Sequence, residues 1–512
     1  MSDARDFVVG IDSSTQSTKA IAWTREGAPV AEGRAAVAIS NPRLYWFEQD
    51  SDAWWSACCT ALRALTGQID PARVAGVAIA NQRETMAFLD EDFRPVRPAM
   101  LWLDERARAE VPELAAEIGP KLIHELTGRP VDIIPCLYRI RWLAKHEPEA
   151  FARTRWFADV QACLVKGLTG RLRSGWLSAD PLGLFDIRAK VWAGELLDAL
   201  GIGPERLPEV EPPGGLLGEV SATGAAATGL RAGTPVFAGG GDGQCAALGT
   251  NTTRPGQAYL NLGTAMVGGV WSADCRNDPG WRTELAADGA GYILETCLRS
   301  GAFLINWFVD NFVPKPVDGA SVFDRLEQEA ADIPLGCDGL LTLPYWSGVM
   351  NPHWDDKARG ILIGLAGGHA PAHVYRSMLE GMTLEQVDGF AGIERVTGVP
   401  ITVVLAIGGG ATSRLWPQML ADALGRLVAL GDTVEASSLG AAMVAAYGAG
   451  WYPSIRAAGA AMAGRVVRTV EPDPTAAAGW AELASIYREL YRNNAATCAR
   501  LVAFASNQRA AG

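Results

Sequence analysis

The sequence predicts an α/β protein made of two related halves, and three observations carry that prediction. The 512 residues exceed what one ordinary core accommodates. Residues 7–80 set short apolar strands around one amphipathic helix. The opening pattern of strand, polar or Gly-rich turn and strand at residues 7–23 returns, weakly in identity, across residues 235–270. The boundary is placed near Thr252, just before Pro255-Gly256, giving halves of 1–252 and 253–512.

The elements follow in order. In FVVGIDSSTQSTKAIAW, Phe7–Ile11 and Ala20–Trp23 are apolar strands flanking a turn of small polar residues. Glu26-Gly27 marks a turn, and Arg34–Ile39 reads as a third strand. Asp50 or Ser51 caps a helix through about Leu65, with Trp54, Cys58, Leu62 and Leu65 near helical spacing. Val74–Ala80 is apolar almost throughout, as in a strand buried on both faces. Together these make an α/β unit whose sheet opens with an antiparallel hairpin. PVFAGGGDGQCAALGT (235–250) and AYLNLGTAMVGGV (258–270) begin the second pattern. Thr402–Ile407 is a strand leading through IGGGATS to a helix carrying Leu415, Met419, Ala423 and Leu424. Thr475–Phe504 is an Ala-rich packing helix.

Hydrophobic content of 49% and charged content of 20% suit a globular protein. A net charge of −12 weighs against a nucleic-acid or membrane-surface binder, although a local pocket can still hold an anion. Nine Cys without a CxxC read as free thiols of a reducing compartment. Five His without HExxH give no metal-site spacing. The start is polar, and no run reaches the ~18 apolar residues a membrane span requires. The expected location is the cytoplasm.

Four turns suit anions. Asp12–Thr18 offers backbone N–H groups and hydroxyls in a tight turn. An exposed hairpin would look the same, but Asp12 beside phosphate donors calls for a cation between them, and Mg²⁺ is the natural one. Gly239-Gly240-Gly241-Asp242 places a carboxylate at a strand end, suited to a general base; a turn Asp capping a helix near Gln244 is the plainer alternative. Asn261–Ala265 and Ile407–Ser413 are further turns at strand ends, the latter leading into a helix as nucleotide-binding turns do. No GxxxxGK[ST] is present, and no GxGxxG follows a strand in a dinucleotide-binding unit. Arg83-Glu84 in NQRET is either a surface ion pair or a donor–acceptor fork for adjacent hydroxyls.

Together these stretches resemble the FGGY family of carbohydrate kinases. Asp12–Thr18 resembles that family's N-terminal phosphate loop, Tyr45–Asp50 with Trp54-Trp55 its WxEQDPxxWW segment, Arg97–Arg106 its RPAIxWxDxR segment, and GGGDGQCAALG the stretch holding its catalytic Asp. The sharpest match is Gly360–Glu380, GILIGLAGGHAPAHVYRSMLE, to the C-terminal signature. The resemblance implies two actin-like ATPase domains with ribonuclease-H-like cores around a nucleotide cleft. It implies ATP and Mg²⁺ as cofactors and a small sugar or polyol as partner, with a homodimer among the assemblies, dimers and tetramers, that are common in the family. By resemblance Asp242 is the base and Asp12 helps place Mg²⁺. Ser14, Thr15, Gln16, Ser17, Gly263 and Thr264 lie at the phosphates, and Gly409, Gly410 and Ala411 approach the nucleotide. Arg83, Glu84, Trp102, Asp242 and Gly243 bind the acceptor. The first domain then carries the acceptor site, phosphate loop and catalytic Asp, and the second binds nucleotide.

The substrate divides the resemblance. NQRET and Trp354-Asp355 lean toward glycerol kinases, whereas GGGDGQ and RPAMLWLDER lean toward xylulokinases. The first family signature expects Lys at Arg139 and a small residue at Cys136, and Ile133-Ile134 stand where glycerol kinases place an aromatic polyol contact. These departures weigh against plain glycerol and favour a ketopentose, with a glycerol- or erythritol-type polyol as the alternative. An actin-like ATPase without sugar substrate is a distant third, and a dinucleotide-binding oxidoreductase lacks its fingerprint. Lys19 has no assigned role.

Overall fold

The computed structural model describes residues 5–315, 321–432 and 435–511. The polar start, residues 1–4, lies outside them.

The first half is built on β1 (Phe7–Ser13), β2 (Ser17–Trp23), β3 (Pro29–Ala36), α1 (Ser51–Thr66) and β4 (Val74–Asn81). β5 (Leu216–Glu219) and β6 (Pro235–Gly241) complete a six-stranded sheet of order β5-β6-β4-β1-β2-β3. β1, β2 and β3 form an antiparallel meander, while β4 and β6 run parallel to β1. β4 is buried at every position, as its unbroken apolar run requires. The third strand differs from the Arg34–Ile39 expectation: it starts at Pro29 and ends at Ala36. It crosses α1 closely, for a Cβ on Gly33 would lie 2.0 Å from the Ala61 carbonyl oxygen. α1 is capped by the Asp50 side chain and buries Trp54, Cys58, Leu62 and Leu65.

Residues 250–256 separate α2 (Asp242–Gly249), which leaves β6, from β7 (Gln257–Leu262). β8 (Met266–Ser272), β9 (Arg282–Leu285) and β10 (Tyr292–Leu298) follow. α3 (Ala302–Phe312), α4 (Pro371–Thr397), β11 (Val403–Ile407), α5 (Trp416–Leu424), β12 (Leu427–Gly431), α6 (Ala436–Gly448), β13 (Val466–Val470) and α7 (Ala477–Ala511) complete the second half. The seven-stranded sheet runs β9-β10-β8-β7-β11-β12-β13. Its central strand β7 again pairs antiparallel with the next strand and parallel with a later one. The path β3-β2-β1-β4-β6 in one sheet and β10-β8-β7-β11-β12 in the other is the same, so the hairpin at 257–272 repeats the one at 7–23, whereas the 235–250 part of the echo belongs to the first sheet as β6 and α2.

One helix departs from this division. α6 lies between β12 and β13 of the second sheet in the chain but packs on the first. Gly440 meets the Cys245 carbonyl of α2, where a Cβ would lie 1.9 Å away, and Ser438 Oγ donates to the Gly10 carbonyl at 2.9 Å.

Candidate active site

Strands β1, β4 and β6 are parallel and end together. Ser13 and Gly241 both flank Asn81, so Asp12 and Asp242 emerge on either side of the β4 end, two strand spacings or about 10 Å apart. In open α/β sheets this carboxyl edge is where ligands bind.

The first turn is closed by the Ser14 N–H donating to the Ser17 carbonyl at 2.9 Å. Its carbonyls are tied back: Gln49 Nε2 donates to Thr15 O at 2.6 Å, and the Val37 N–H to Gln16 O at 2.8 Å. Trp102 Nε1 donates to Thr15 Oγ1 at 3.0 Å, joining a predicted acceptor residue to the predicted phosphate turn. Ser14, Thr15 and Ser17 are half-buried and Gln16 is exposed. Asp12 Oδ1 is buried without a hydrogen-bond partner. Burial foremost, then Asp242, push its carboxyl up to about 7 against the pull of Lys19, with Glu435 adding to the rise. Lys19 itself is ion-paired to Glu435 ahead of α6.

Asp242 begins α2 rather than projecting from the strand, and the helix starts two residues before the expected Gln244. Its Oδ1 accepts from its neighbour Gly243 N–H at 2.8 Å and from Arg83 Nε at 3.1 Å. The side chain is 38% exposed, the most open carboxylate of its surroundings. Burial raises its pKa, and Arg83 opposes the rise. The glycines around it serve packing: a Cβ on Gly239 would meet Ile79 O at 2.2 Å, on Gly240 the Leu177 side chain at 2.1 Å, and on Gly243 Arg83 Nη2 at 2.9 Å.

Arg83 and Glu84 form neither a surface pair nor an open fork. Arg83 Nη1 donates to Glu284 Oε2 at 2.6 Å and Glu295 Oε2 at 2.8 Å, both from the second sheet. Glu84 Oε1 accepts from Arg282 Nη1 at 3.0 Å. Glu84 is 4% exposed and sits at φ 45°, a backbone conformation unusual outside glycine. Arg139, where the family signature expects Lys, is buried and donates to the Glu84 carbonyl at 2.6 Å and to that of Ile134. Ile133 and Ile134 pack with Met350, with Trp102 and Trp354 against them, so the apolar wall beside Trp102 draws on both halves.

The second half brings its two predicted turns together. A Cβ on Gly408 (φ 85°) would lie 2.4 Å from Asn261 Oδ1 and 3.2 Å from the Gly263 N, so the turns touch. The Gly263 carbonyl accepts from the Ala302 N–H at 2.8 Å and that of Thr264 from the Phe303 N–H at 3.2 Å, docking the start of α3 on the turn. Gly409 to Thr412 form a 3₁₀ turn in which Ala411 N–H donates to Gly408 O at 3.1 Å. A Cβ on Gly410 would strike Trp416 at 2.6 Å, but one on Gly409 would meet nothing within 4 Å, leaving that face open.

Sequence reasoning missed Arg129, Asp180, Arg282, Glu284 and Glu295. For Glu295 a signal was present in YILETCL, a charged residue inside an otherwise largely apolar strand; RTEL, Arg129 and Asp180 carried none of that kind. It also missed that two of the quoted segments meet, since Glu48 Oε1 accepts from Arg97 at 2.6 Å and Arg106 at 2.8 Å. A cavity of about 600 Å³ lies elsewhere, between α4 and α7, lined by Tyr345, His353, Glu385, Asp388, Tyr487 and Tyr491 among others. None of the predicted site residues line it. Among the described residues no helix is long and apolar enough to cross a membrane.

The comparisons with known proteins bear on the family and the fold. Residues 7–249 match the N-terminal domain of the FGGY family of carbohydrate kinases, and residues 258–449 match its C-terminal domain. A xylulose kinase of Lactococcus lactis subsp. lactis is 30% identical over 505 residues, covering 97% of this chain and 99% of that protein. A gluconokinase of Bacillus subtilis is 24% identical over 450 residues, 87% of this chain and 88% of that one. The crystal structure of a xylulose kinase from Rhodospirillum rubrum superposes with a TM-score of 0.88 at 28% identity, over 96% of this chain and 99% of the other. Its two-domain, actin-like architecture is the fold of this protein. The repeated sheet, the paired strand-end turns and the family match over both halves lead to one conclusion: the chain belongs to the FGGY family of carbohydrate kinases.

Proposed function

We propose that the protein transfers the γ-phosphoryl group of ATP to a hydroxyl of a small neutral sugar, with a ketopentose of the xylulose type as acceptor. The observation that carries this is Asp242: a partly open carboxylate at a parallel strand end, held by Arg83 and placed across the β4 end from a turn of donors. Asp242 is the general base that takes the acceptor hydroxyl's proton as the phosphoryl group arrives. Ser14, Thr15, Gln16 and Ser17 face the phosphates from the first half, and Gly263 and Thr264 from the second. Gly409, Gly410 and Ala411 receive the nucleotide. Trp102 and Gly243 line the acceptor, with Arg83 and Glu84 behind them. Residues 1–252 act as the acceptor and phosphate-loop domain and residues 253–512 as the nucleotide domain.

Mg²⁺ fits at Asp12. The buried Oδ1 is a hard oxygen with no hydrogen-bond partner. Among the described residues no cluster of three or more acidic, His or Cys side chains could hold a metal. A cation held by one carboxylate, water and phosphate oxygens is the manner in which Mg²⁺ binds nucleotide sites. Bound there, it would neutralise charge on the transferring phosphate.

The acceptor assignment draws on the xylulose kinase relatives. It also draws on the three site arginines, Arg83, Arg129 and Arg282. Each is already bonded to protein carboxylates, which favours an uncharged acceptor over an aldonic acid. The glycerol-kinase-like Arg83-Glu84 pair keeps a polyol such as erythritol as the second reading. The test is ADP release with Mg-ATP against D- and L-xylulose, D- and L-ribulose, glycerol, erythritol and gluconate. Stimulation by a ketopentose above the others is expected. No stimulation by any of them would sink the kinase reading, and gluconate as the best acceptor would sink the neutral-sugar assignment.

A further inference from the structure

The ion pairs around Arg83 form a closed circuit. Arg83 Nε donates to Asp242, and its Nη1 to Glu284 and Glu295. The second oxygen of Glu284 accepts from Arg129 Nη2 at 2.7 Å, and Arg129 Nη1 donates to Asp180 Oδ1 at 2.6 Å. Asp180 Oδ2 accepts from Gln244 Nε2 at 3.0 Å. Gln244 lies on the first turn of α2, two residues beyond Asp242, so the circuit returns to the helix it left. A side branch runs from Glu295 through Arg282 to Glu84. Glu284 and Glu295 have no exposed side-chain surface, so neither touches an acceptor. Both belong to the second sheet, while Asp242 and Arg83 belong to the first.

We propose that Glu295 and Glu284 are positioning residues for Asp242. Through Arg83 they hold the carboxylate of the first half in its reactive place, and they make that place depend on the two sheets being together. This rests on the kinase reading above. Arg83 cannot be replaced by a single-point donor in such a role, because one planar fork must reach three carboxylates at once. A shift of about 1 Å in Asp242 is enough to cost on the order of 10²-fold in turnover.

Four groups bear on the charge of Asp242: Arg83 from the β4 end, Glu295 from β10, Arg282 from β9 and Asp12 from β1. The nearest contact from α6 is uncharged, Ser437 Oγ donating to the Asp242 carbonyl at 3.1 Å. Glu295 favours the protonated Asp242 and Arg83 the ionised form. The base works ionised, so its pKa sets the acid limb of the pH–rate profile.

The experiment is steady-state kinetics with Mg-ATP and whichever acceptor the wild type phosphorylates. Glu295→Gln is expected to lower kcat about tenfold or more while both KM values stay within about threefold. Its acid limb moves to lower pH, whereas that of Arg83→Gln moves to higher pH. Glu295→Asp recovers part of kcat. A Glu295→Gln enzyme that loses turnover with an unmoved acid limb and no rescue by Asp is a merely structural lesion and overturns the proposal. Limbs shifting the same way in both variants overturn it too. Should Glu295→Gln fail to fold, Glu284→Gln is read instead: it removes one bond to Arg83 and none to Asp242, and an unchanged kcat overturns the proposal. A wild type inert toward every acceptor refutes the kinase reading and this one with it; an active wild type with unaffected variants refutes this one alone.

Discussion

Two buried arginine–carboxylate networks lie within the first half's reach, and they differ in where they end. One joins Glu48, Asp104, Arg97 and Arg106. Arg106 donates to both Asp104 oxygens at 2.7 and 2.6 Å and to Glu48 at 2.8 Å, and its guanidinium lies 3.8 Å from the centre of the Trp46 ring. This network runs on through Arg97 to Glu147, 2.8 Å from Arg97 Nε, so every member lies in the first half, and the side chains of Asp104 and Arg106 are fully buried. The other joins Asp242, Arg83, Glu284, Arg129 and Asp180, spans both sheets, and leaves Asp242 open. The residue types are the same. What separates a strut from the proposed reactive site is an open carboxylate at a strand end and partners drawn from two bodies.

The comparison breaks most easily at Asp242. Asp242→Ala is expected to lower kcat by about 10²- to 10⁴-fold, the usual contribution of a positioned base. ATP affinity, read by titration calorimetry, stays within about twofold. Undiminished turnover would make Asp242 one more strut.

The opposite outcome is expected at Arg106. Arg106→Met leaves Asp104 in the interior without a cation, removes one of the two donors to Glu48, and lowers stability by about 3–5 kcal/mol. Turnover per folded molecule is retained. Denaturant melts and active-site titration separate the two effects, and lost turnover at unchanged stability would contradict the assignment.

The first network was half legible in the sequence and the second was not, for a physical reason. The segments around Glu48 and Asp104 stood out as motifs, and both lie in the first half. β1, α1 and β4 followed from apolar runs and a capping Asp, because hydrophobic period and capping are local properties. Glu284 and Glu295 lie about 200 residues beyond Arg83, and strand alternation says that a residue faces inward without saying which body it faces. Arg83-Glu84 looked like an open fork for the same reason: its partners were out of view. α6 was hidden likewise, since it packs on the sheet it does not follow in the chain. The strand-end turns were legible, because Gly and small hydroxyl residues are needed there by backbone geometry alone.

A third buried acid sharpens the contrast by lacking an arginine. Glu385, on the wall of the cavity between α4 and α7, accepts from Tyr345 at 3.0 Å and Tyr487 at 2.6 Å. Burial pushes it up to about 7, against the pull of both tyrosine hydroxyls. Its folded pKa therefore exceeds the unfolded value near 4.3, so the protonated form is favoured on folding. That stability is full below about pH 4 and is lost as pH rises through about 7. Glu385→Gln stays neutral and accepts the same two hydroxyls. At pH 8 it should be the more stable protein, by up to about 3 kcal/mol, with little difference at pH 4. Melts at the two pH values decide it; a variant less stable at pH 8 would mean that Glu385 is charged and held by a cation after all.

The smallest effect is expected at Lys19, which stands beside Asp12 in the first turn's hairpin, opposite it in the register of β1 and β2. A lysine there invites a phosphate-binding role. Its ammonium is instead engaged by Glu435, at the foot of α6, with side-chain exposures of 12% and 25%. A partly exposed ion pair of this kind contributes about 0–1 kcal/mol. Lys19→Met keeps the aliphatic stem and removes the charge, so stability should fall by less than about 1 kcal/mol. If Lys19 serves only to dock α6 on the first sheet, KM for ATP changes less than about threefold, and Glu435→Gln reproduces the same small effect. A loss of ATP affinity of tenfold or more in Lys19→Met, with Glu435→Gln unaffected, would move the lysine from the strut side of the comparison to the site.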